Sequence, residues 1–379
     1  MDLFGAPQVK NLFKSDSVKH DNNLFRLHHQ MNYFFVLVGV LFIFGQNHFG
    51  SPIKCYKVSL DPFTENYCWF HGSGHLPPGL SKRVSGCVAD QRQFGGEARG
   101  REQEGDKRHT RYYLWLPFTL GLCLAIIKAP RVIWKHVGER GVMRSILDND
   151  SPKEMAQRIN ELRHDGSCRY FFSFLFCEVL NIVSIALCMA TLDALLGGNF
   201  WDYGSKVHEF YSTSEDDRVS YALTNPMCNL FPTEVSCLIT SAGINGELEY
   251  KNHLCMLNNN YFNQYYFFVL WIWWVILLTL SLVALVYRII QLVVPSFSVL
   301  VLKSLMSDGH GMSQDRDSFF RKQKQWDAFL LMQVTNNLKT RRTIKQLLDE
   351  MVRQEIMKKT AKYDIEEGQE GLSLRSTKT

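Results

Sequence analysis

The sequence is first narrowed by what it lacks. Its 379 residues contain no G-x-S-x-G elbow, no G-x-x-x-x-G-K-[ST] phosphate loop, no H-E-x-x-H and no clustered pair of catalytic carboxylates. An enzyme is therefore not expected, and nothing in the chain calls for a cofactor. There is no dense basic patch with interleaved aromatics, and a net charge of +5 spread along the chain argues against a nucleic-acid partner. A transporter should show internal repeats with Gly/Pro-broken helices in matching halves; only Pro117 interrupts an apolar block here. The absence that decides most is charge itself, which is missing from long stretches. A mean hydropathy of −0.13 hides this segregation, because the charged residues lie between the apolar blocks.

The block from Tyr112 to Ile127 has sixteen residues without a charge, closed by Arg111 and Lys128. That is roughly 24 Å of helix, short of a hydrocarbon core of about 30 Å, but the flanking basic side chains can snorkel to the interfaces. Tyr112, Tyr113 and Trp115 at one end and Trp134 beyond the other occupy interfacial-belt positions. Pro117 should bend the helix, and neighbouring helices can satisfy the backbone group it frees. A buried helix of a soluble protein is the bland alternative, and three more blocks decide against it. From Leu27 to Ile53 there is no Lys, Arg, Asp or Glu, and no small-x-small cleavage pattern follows, so this block reads as a retained first span. Tyr170–Leu196 carries Glu178 and Asp193. The Phe, Leu, Ile and Val residues of 171–192 contribute roughly −4 to −7 kcal/mol against about +3 for a buried carboxylate, so it still inserts. Glu178 is an intramembrane polar candidate; the bland reading has it satisfied against another helix. Tyr265–Val286 is the strongest block and ends before Arg288.

The chain thus divides into an N-terminal segment (1–30), spans at 31–49, 112–127, 170–196 and 265–286, two large loops (50–111 and 197–264), a short loop (128–169) and a tail (287–379). A small helix is expected from Pro152 to Arg163. Helical periodicity runs from Asp315 to Lys359, and the stretch from Asp364 onward reads as disordered. Lys and Arg number 29 in segments 1–30, 128–169 and 287–379, against 13 in the two large loops. The positive-inside rule places the termini and the short loop in the cytoplasm. The large loops then face an oxidising space, where disulfides persist. Cys55, Cys68 and Cys87 lie in the first and Cys228, Cys237 and Cys255 in the second. Cys55, Cys68, Cys237 and Cys255 allow three connectivities, which spacing leaves open. A zinc site using the nearby His71, His75 and His253 is the competing reading, without C-x-x-C spacing to support it.

YYLWLPF at 112–118 resembles the YYQWxPF signature of the innexins, the invertebrate gap-junction proteins, with Leu114 in place of Gln. DSVKHDNNLFRLH (16–28), GSPIKCY (50–56), YCW (67–69), APRVIWK (129–135), FCEVLN (176–181) and FFVLWIWWVILL (267–278) follow family patterns in the same order. The short middle loop is also seen in virus-carried relatives of insect innexins. The resemblance implies an all-α polytopic membrane protein, a four-transmembrane-helix bundle with a disulfide-bonded extracellular domain and a helical cytoplasmic dome. It implies a homo-oligomer of eight subunits in the plasma membrane, docked to a hemichannel of the adjacent cell or mixed with other innexin subunits, amid membrane lipids. The four matching cysteines would pair as Cys55–Cys255 and Cys68–Cys237. Cys87 and Cys228 are extra to the pattern and either pair with each other or stay free. The N-terminal segment would form a pore funnel, with Asp2, Lys10, Lys14 and Asp16 as pore-lining candidates. Its four basic and three acidic side chains predict weak charge selectivity. The alternative is a non-junctional hemichannel of the pannexin kind, releasing small molecules to the outside.

Overall fold

The computed structural model describes residues 23–56, 62–71, 112–136, 142–147, 151–163, 165–214, 217, 225–242, 245–294, 296–297, 300–301, 314–338, 343–358 and 360. In chain order its elements are α1 (Asn23–Phe49, of π-type pitch over Leu27–Asn32), β1 (Ile53–Cys55), α2 (Pro62–His71), α3 (Tyr112–Trp134), α4 (Arg144–Leu147), α5 (Pro152–Leu162), α6 (Asp165–Leu195), α7 (Tyr203–Ser212), α8 (Pro226–Leu230), β2 (Glu234–Ala242), β3 (Leu248–Leu257), α9 (Asn258–Val293), α10 (Gln314–Arg321), α11 (Gln325–Asn337) and α12 (343–358). Helices α1, α3, α6 and α9 are long and apolar enough to cross a membrane. The fold is that of a four-span, mainly helical membrane protein.

The chain forms two compact units. One comprises residues 27–128 and 182–280. Its helical core gathers Val36 and Ile43 of α1, Leu116, Leu120 and Ile127 of α3, Ile185 and Leu192 of α6, and Phe267, Leu270 and Trp274 of α9. Within α1 these are residues on one face at helical spacing, whereas Phe34, Val38 and Leu41 on the opposite side are exposed. Close approach between α1 and α9 depends on Gly39, where an added Cβ would lie on the phenol ring of Tyr266. Asn32 is fully buried, and its Oδ1 accepts from the indole N–H groups of Trp273 (3.2 Å) and Trp274 (2.9 Å). Lys128 does not end α3. Its Nζ sits 4.4 Å from the centre of the Tyr33 ring and donates to the His29 carbonyl, so its charge is held while the helix continues to Trp134. In the last turn of α6, Asp193 accepts from the backbone N–H groups of Phe200 and Trp201 and fixes the turn through Gly197 and Gly198, both at positive φ.

Within the stretch 197–264 between the third and fourth spans, Glu234–Ala242 and Leu248–Leu257 form strands that the sequence pattern did not indicate. The sheet has order β1-β3-β2, antiparallel throughout. Its small core contains Ile53, Cys68, Trp69, Tyr113, Val235, Cys237, Cys255 and Leu257.

The other unit comprises residues 1–26, 129–181 and 281–379, of which the described part is helical. The periodicity read over 315–359 resolves into three helices. In α11 every residue from Asp327 to Thr335 is buried, so this helix lies inside the unit rather than on it. Helix α5 starts with Pro152 at its first turn and buries Met155, Ala156 and Ile159 on one stripe. Asn160 and Arg163 bind Gln354 and Glu355 of α12 at 2.8 Å each.

Glu178 of α6 belongs to this unit, and it has a partner that sequence reading missed. Arg288 was read as the charge that ends the fourth block, yet α9 continues to Val293 and buries it. The Arg288 Nε lies 3.3 Å from both Glu178 carboxylate oxygens, and Nη1 donates to Gln291 at 3.0 Å. The guanidinium also stands over the rings of Phe329 (4.7 Å) and Phe174 (5.4 Å). Each charge makes the other tolerable where neither could stand alone. Removing one partner should therefore cost about 3–5 kcal/mol, whereas an apolar pair of similar volume is near neutral. Thermal unfolding of the detergent-solubilised protein should show a large loss of midpoint for Arg288→Met, and recovery in the double variant Glu178→Leu/Arg288→Met. Equal losses in single and double variants would contradict this account.

Candidate functional site

The residues singled out in the sequence fall into three groups. The cysteines and the aromatic signature meet around the sheet. Glu178 is buried in the ion pair already described. Asp2, Lys10, Lys14, Asp16 and Cys87 lie outside the described residues.

β1 follows directly on α1, and β3 runs straight into α9. Because these helices pack together, Cys55 and Cys255 come to lie opposite one another in the β1–β3 register and are joined by a disulfide. The second bridge joins Cys68 of α2 to Cys237 of β2. The two bridges link segments 200 and 169 residues apart in sequence, and long closed loops are where such constraint removes most freedom from the unfolded chain. Cys228 is disulfide-bonded as well. The sulfurs of Cys55, Cys68 and Cys255 lie within 4.8 Å of one another. A zinc ion would need them as thiolates, and here they are consumed in S–S bonds.

The signature residues tie α3 to this sheet and to the neighbouring helices. Tyr113 stacks on Trp69 with ring centres 4.2 Å apart, and its hydroxyl donates to the Trp69 carbonyl at 3.0 Å. The Tyr112 hydroxyl accepts from Asn260 Nδ2 at 2.8 Å, and its ring meets the Phe231 ring edge-on. Trp115 is exposed beside Phe118. Pro117 is buried and has no N–H to offer the carbonyl four residues before it, that of Tyr113. Asn47 of α1 supplies the missing donor, its Nδ2 reaching the Tyr113 carbonyl at 3.2 Å. Asn47 Oδ1 in turn accepts from Asn259 Nδ2 of α9 at 2.6 Å. The sequence shows that Pro117 frees a carbonyl; only the fold shows which side chain takes it. Next to the sheet, burial pushes the Tyr203 hydroxyl above its ordinary pKa, and this hydroxyl donates to the Gln264 carbonyl at 2.9 Å.

A family model for innexins matches residues 21–355. The chain belongs to the innexin family. Among curated relatives it is similar to innexin inx2 of Drosophila melanogaster, 28% identical over 351 residues that cover 89% of this chain and 91% of the relative. Innexin inx2 of Schistocerca americana is 29% identical over 314 residues, covering 80% and 84%. Innexin shaking-B of Drosophila melanogaster is 26% identical over 355 residues, covering 90% and 91%. Innexins are gap-junction channel proteins rather than enzymes, and in this innexin the candidate site is a structural one. It is a bridged sheet mounted on α1, α3 and α9, with the Tyr113 carbonyl that Pro117 frees as its polar joint.

Asn47→Leu should destabilise this innexin by about 1–3 kcal/mol, because the Tyr113 carbonyl then stays buried without a donor. Pro117→Ala restores a backbone N–H to that carbonyl, so adding it to Asn47→Leu should recover part of the loss. Thermal melts of the four proteins in one detergent decide this, and strict additivity would rule the joint out.

Proposed function

We propose that this innexin is the subunit of a large-pore hemichannel of eight copies in the plasma membrane, which docks with a hemichannel of the adjacent cell at a cell–cell junction and passes ions and small molecules. The innexin match over 21–355 carries this reading. Both termini, residues 128–169 and residues 287–379 face the cytoplasm, in keeping with the excess of Lys and Arg there. Residues 50–111 and 197–264 face outward and present the bridged sheet. The spans are 31–49, 112–127, 170–196 and 265–286, extended where their helices run longer. Docking one ring against another requires outer segments that are already ordered, since ordering them on contact would cost free energy at every subunit. Two bridges and a shared sheet core favour such order, each bridge contributing typically 2–4 kcal/mol. The outer loops carry no N-x-S/T sequon, the one at Asn149 lying on the cytoplasmic side, and a sugar-free face suits membrane-to-membrane contact. Residues 1–30 form the pore funnel, lined by Asp2, Lys10, Lys14 and Asp16, and their near balance of charge gives weak selectivity.

Junctional conductance between paired cells expressing this chain, with dye uptake by single cells, tests the reading. Coupling between pairs supports it; uptake without coupling would instead identify a non-junctional hemichannel. Cys68→Ser should abolish coupling while surface biotinylation shows the subunit still reaching the membrane, and normal conductance in that variant would refute the role given to the bridge. Deleting residues 2–19 should change unitary conductance or gating. An unaltered single-channel record would remove the funnel assignment.

A further inference from the structure

We propose that Cys55 is a site of S-thiolation by low-molecular-weight thiols such as glutathione, and that its modification is relayed through Cys255 and Cys68 to the second disulfide. The four cysteines of these two bridges differ in access. Cys55 is partly exposed at the end of β1, whereas Cys68, Cys237 and Cys255 are 0–1% exposed. Cys55 is therefore the most accessible of the four residues to an attacking thiolate. The two bridges are also close together, with Cys68 Sγ within 4.8 Å of both sulfurs of the Cys55–Cys255 bond. This proximity is built into the fold. The Cys55 N–H donates to the Glu65 carboxylate of α2 at 3.4 Å, and Cys68 lies three residues further along the same helix, on the same face.

The relay has two displacements. Glutathione thiolate attacks Cys55 Sγ, forming the mixed disulfide at Cys55 and expelling Cys255 as thiolate. The Cys255 thiolate attacks Cys68 Sγ, forming Cys68–Cys255 and expelling Cys237, which takes up a proton. One external thiolate enters, two S–S bonds form and two break, and no oxidant or further reductant is needed. A sulfur held within such a distance by a rigid fold reacts intramolecularly, at an effective concentration far above that of a dissolved thiol. It therefore competes well against millimolar glutathione for the second step. The outcome is a changed network: β1 and β2 are released from their bridges, while β3 becomes tied to α2. The free cysteines Cys123, Cys168, Cys177 and Cys188 are thiols already, so reduced glutathione forms no mixed disulfide with them directly. The inference concerns the bridges alone and does not depend on whether hemichannels dock.

The test is peptide mapping of the full chain in detergent after exposure to graded reduced glutathione, acid quenching and alkylation, all without reductant. The expected products are glutathione on Cys55, a Cys68–Cys255 linked peptide and alkylated Cys237, appearing over the same glutathione range. In the double variant Cys55→Ser/Cys255→Ser the Cys68–Cys237 bridge should open at least tenfold more slowly than in the unaltered protein. Glutathione on Cys55 with alkylated Cys255 and an intact Cys68–Cys237 bond would overturn the relay. Opening of Cys68–Cys237 before any adduct at Cys55 would overturn the entry point. The wild-type map stands by itself if the double variant does not fold.

Discussion

Inside a bilayer no water completes a hydrogen bond, so each polar group on a spanning helix must find its partner within the protein. Several polar groups along these helices meet it in identifiable ways. The Tyr113 carbonyl freed by Pro117 is taken by Asn47, and Asn47 is held by Asn259. Asn32 gathers two indole N–H groups. Glu178 and Arg288 neutralise each other beneath a cover of aromatic rings. Each arrangement does more than avoid a penalty. A helix with a polar residue at a fixed depth can pair in few registers, so the same groups that would be costly alone specify how α1, α3 and α9 meet.

That register carries into the sheet. β1 has three residues and could not hold a place by backbone pairing alone. It is placed because α1 delivers it beside the strand that leads into α9, and a disulfide then closes the register. The stacking of Tyr113 on Trp69 brings α2 to the same point from the third direction, and Cys68 at 0% exposure closes the second bridge inside the resulting core. Helix packing thus precedes the sheet in the logic of the fold, and the bridges fasten what the helices have already aligned.

What the sequence made legible follows the same division. Uncharged runs long enough to span a membrane are visible without any tertiary knowledge, because the bilayer imposes their length. The stretch around Pro117 could be read as far as the freed carbonyl, since that consequence is local. Its donor, Asn47 Nδ2, is 66 residues distant and leaves no mark in either segment. Arg288 was misplaced for the same reason: a lone charge after an apolar block looks like its boundary until Glu178 is found 110 residues away. The strands β2 and β3 escaped notice because EVSCLITSA and LEYKNHLCML do not alternate strictly between apolar and polar residues. They pair along the whole of β2, from Glu234 opposite Met256 to Ala242 opposite Leu248, in an antiparallel ladder that neither segment announces by itself.

The outer surfaces of the spanning helices carry exposed apolar rows. Phe172, Phe176, Val179, Val183 and Leu187 form an exposed row on α6, and Val269, Ile272, Ile276, Leu280 and Val283 form another on α9, both at helical spacing. In water such rows would drive association. In a membrane they do not, because lipid tails are as apolar as leucine and burying the row against a second copy gains little transfer energy. Association of such subunits must then be decided by close packing and by the parts that meet water. Among the described residues, the two bridges whose partners are both placed lie in the sheet and not on the apolar faces that dominate the sequence.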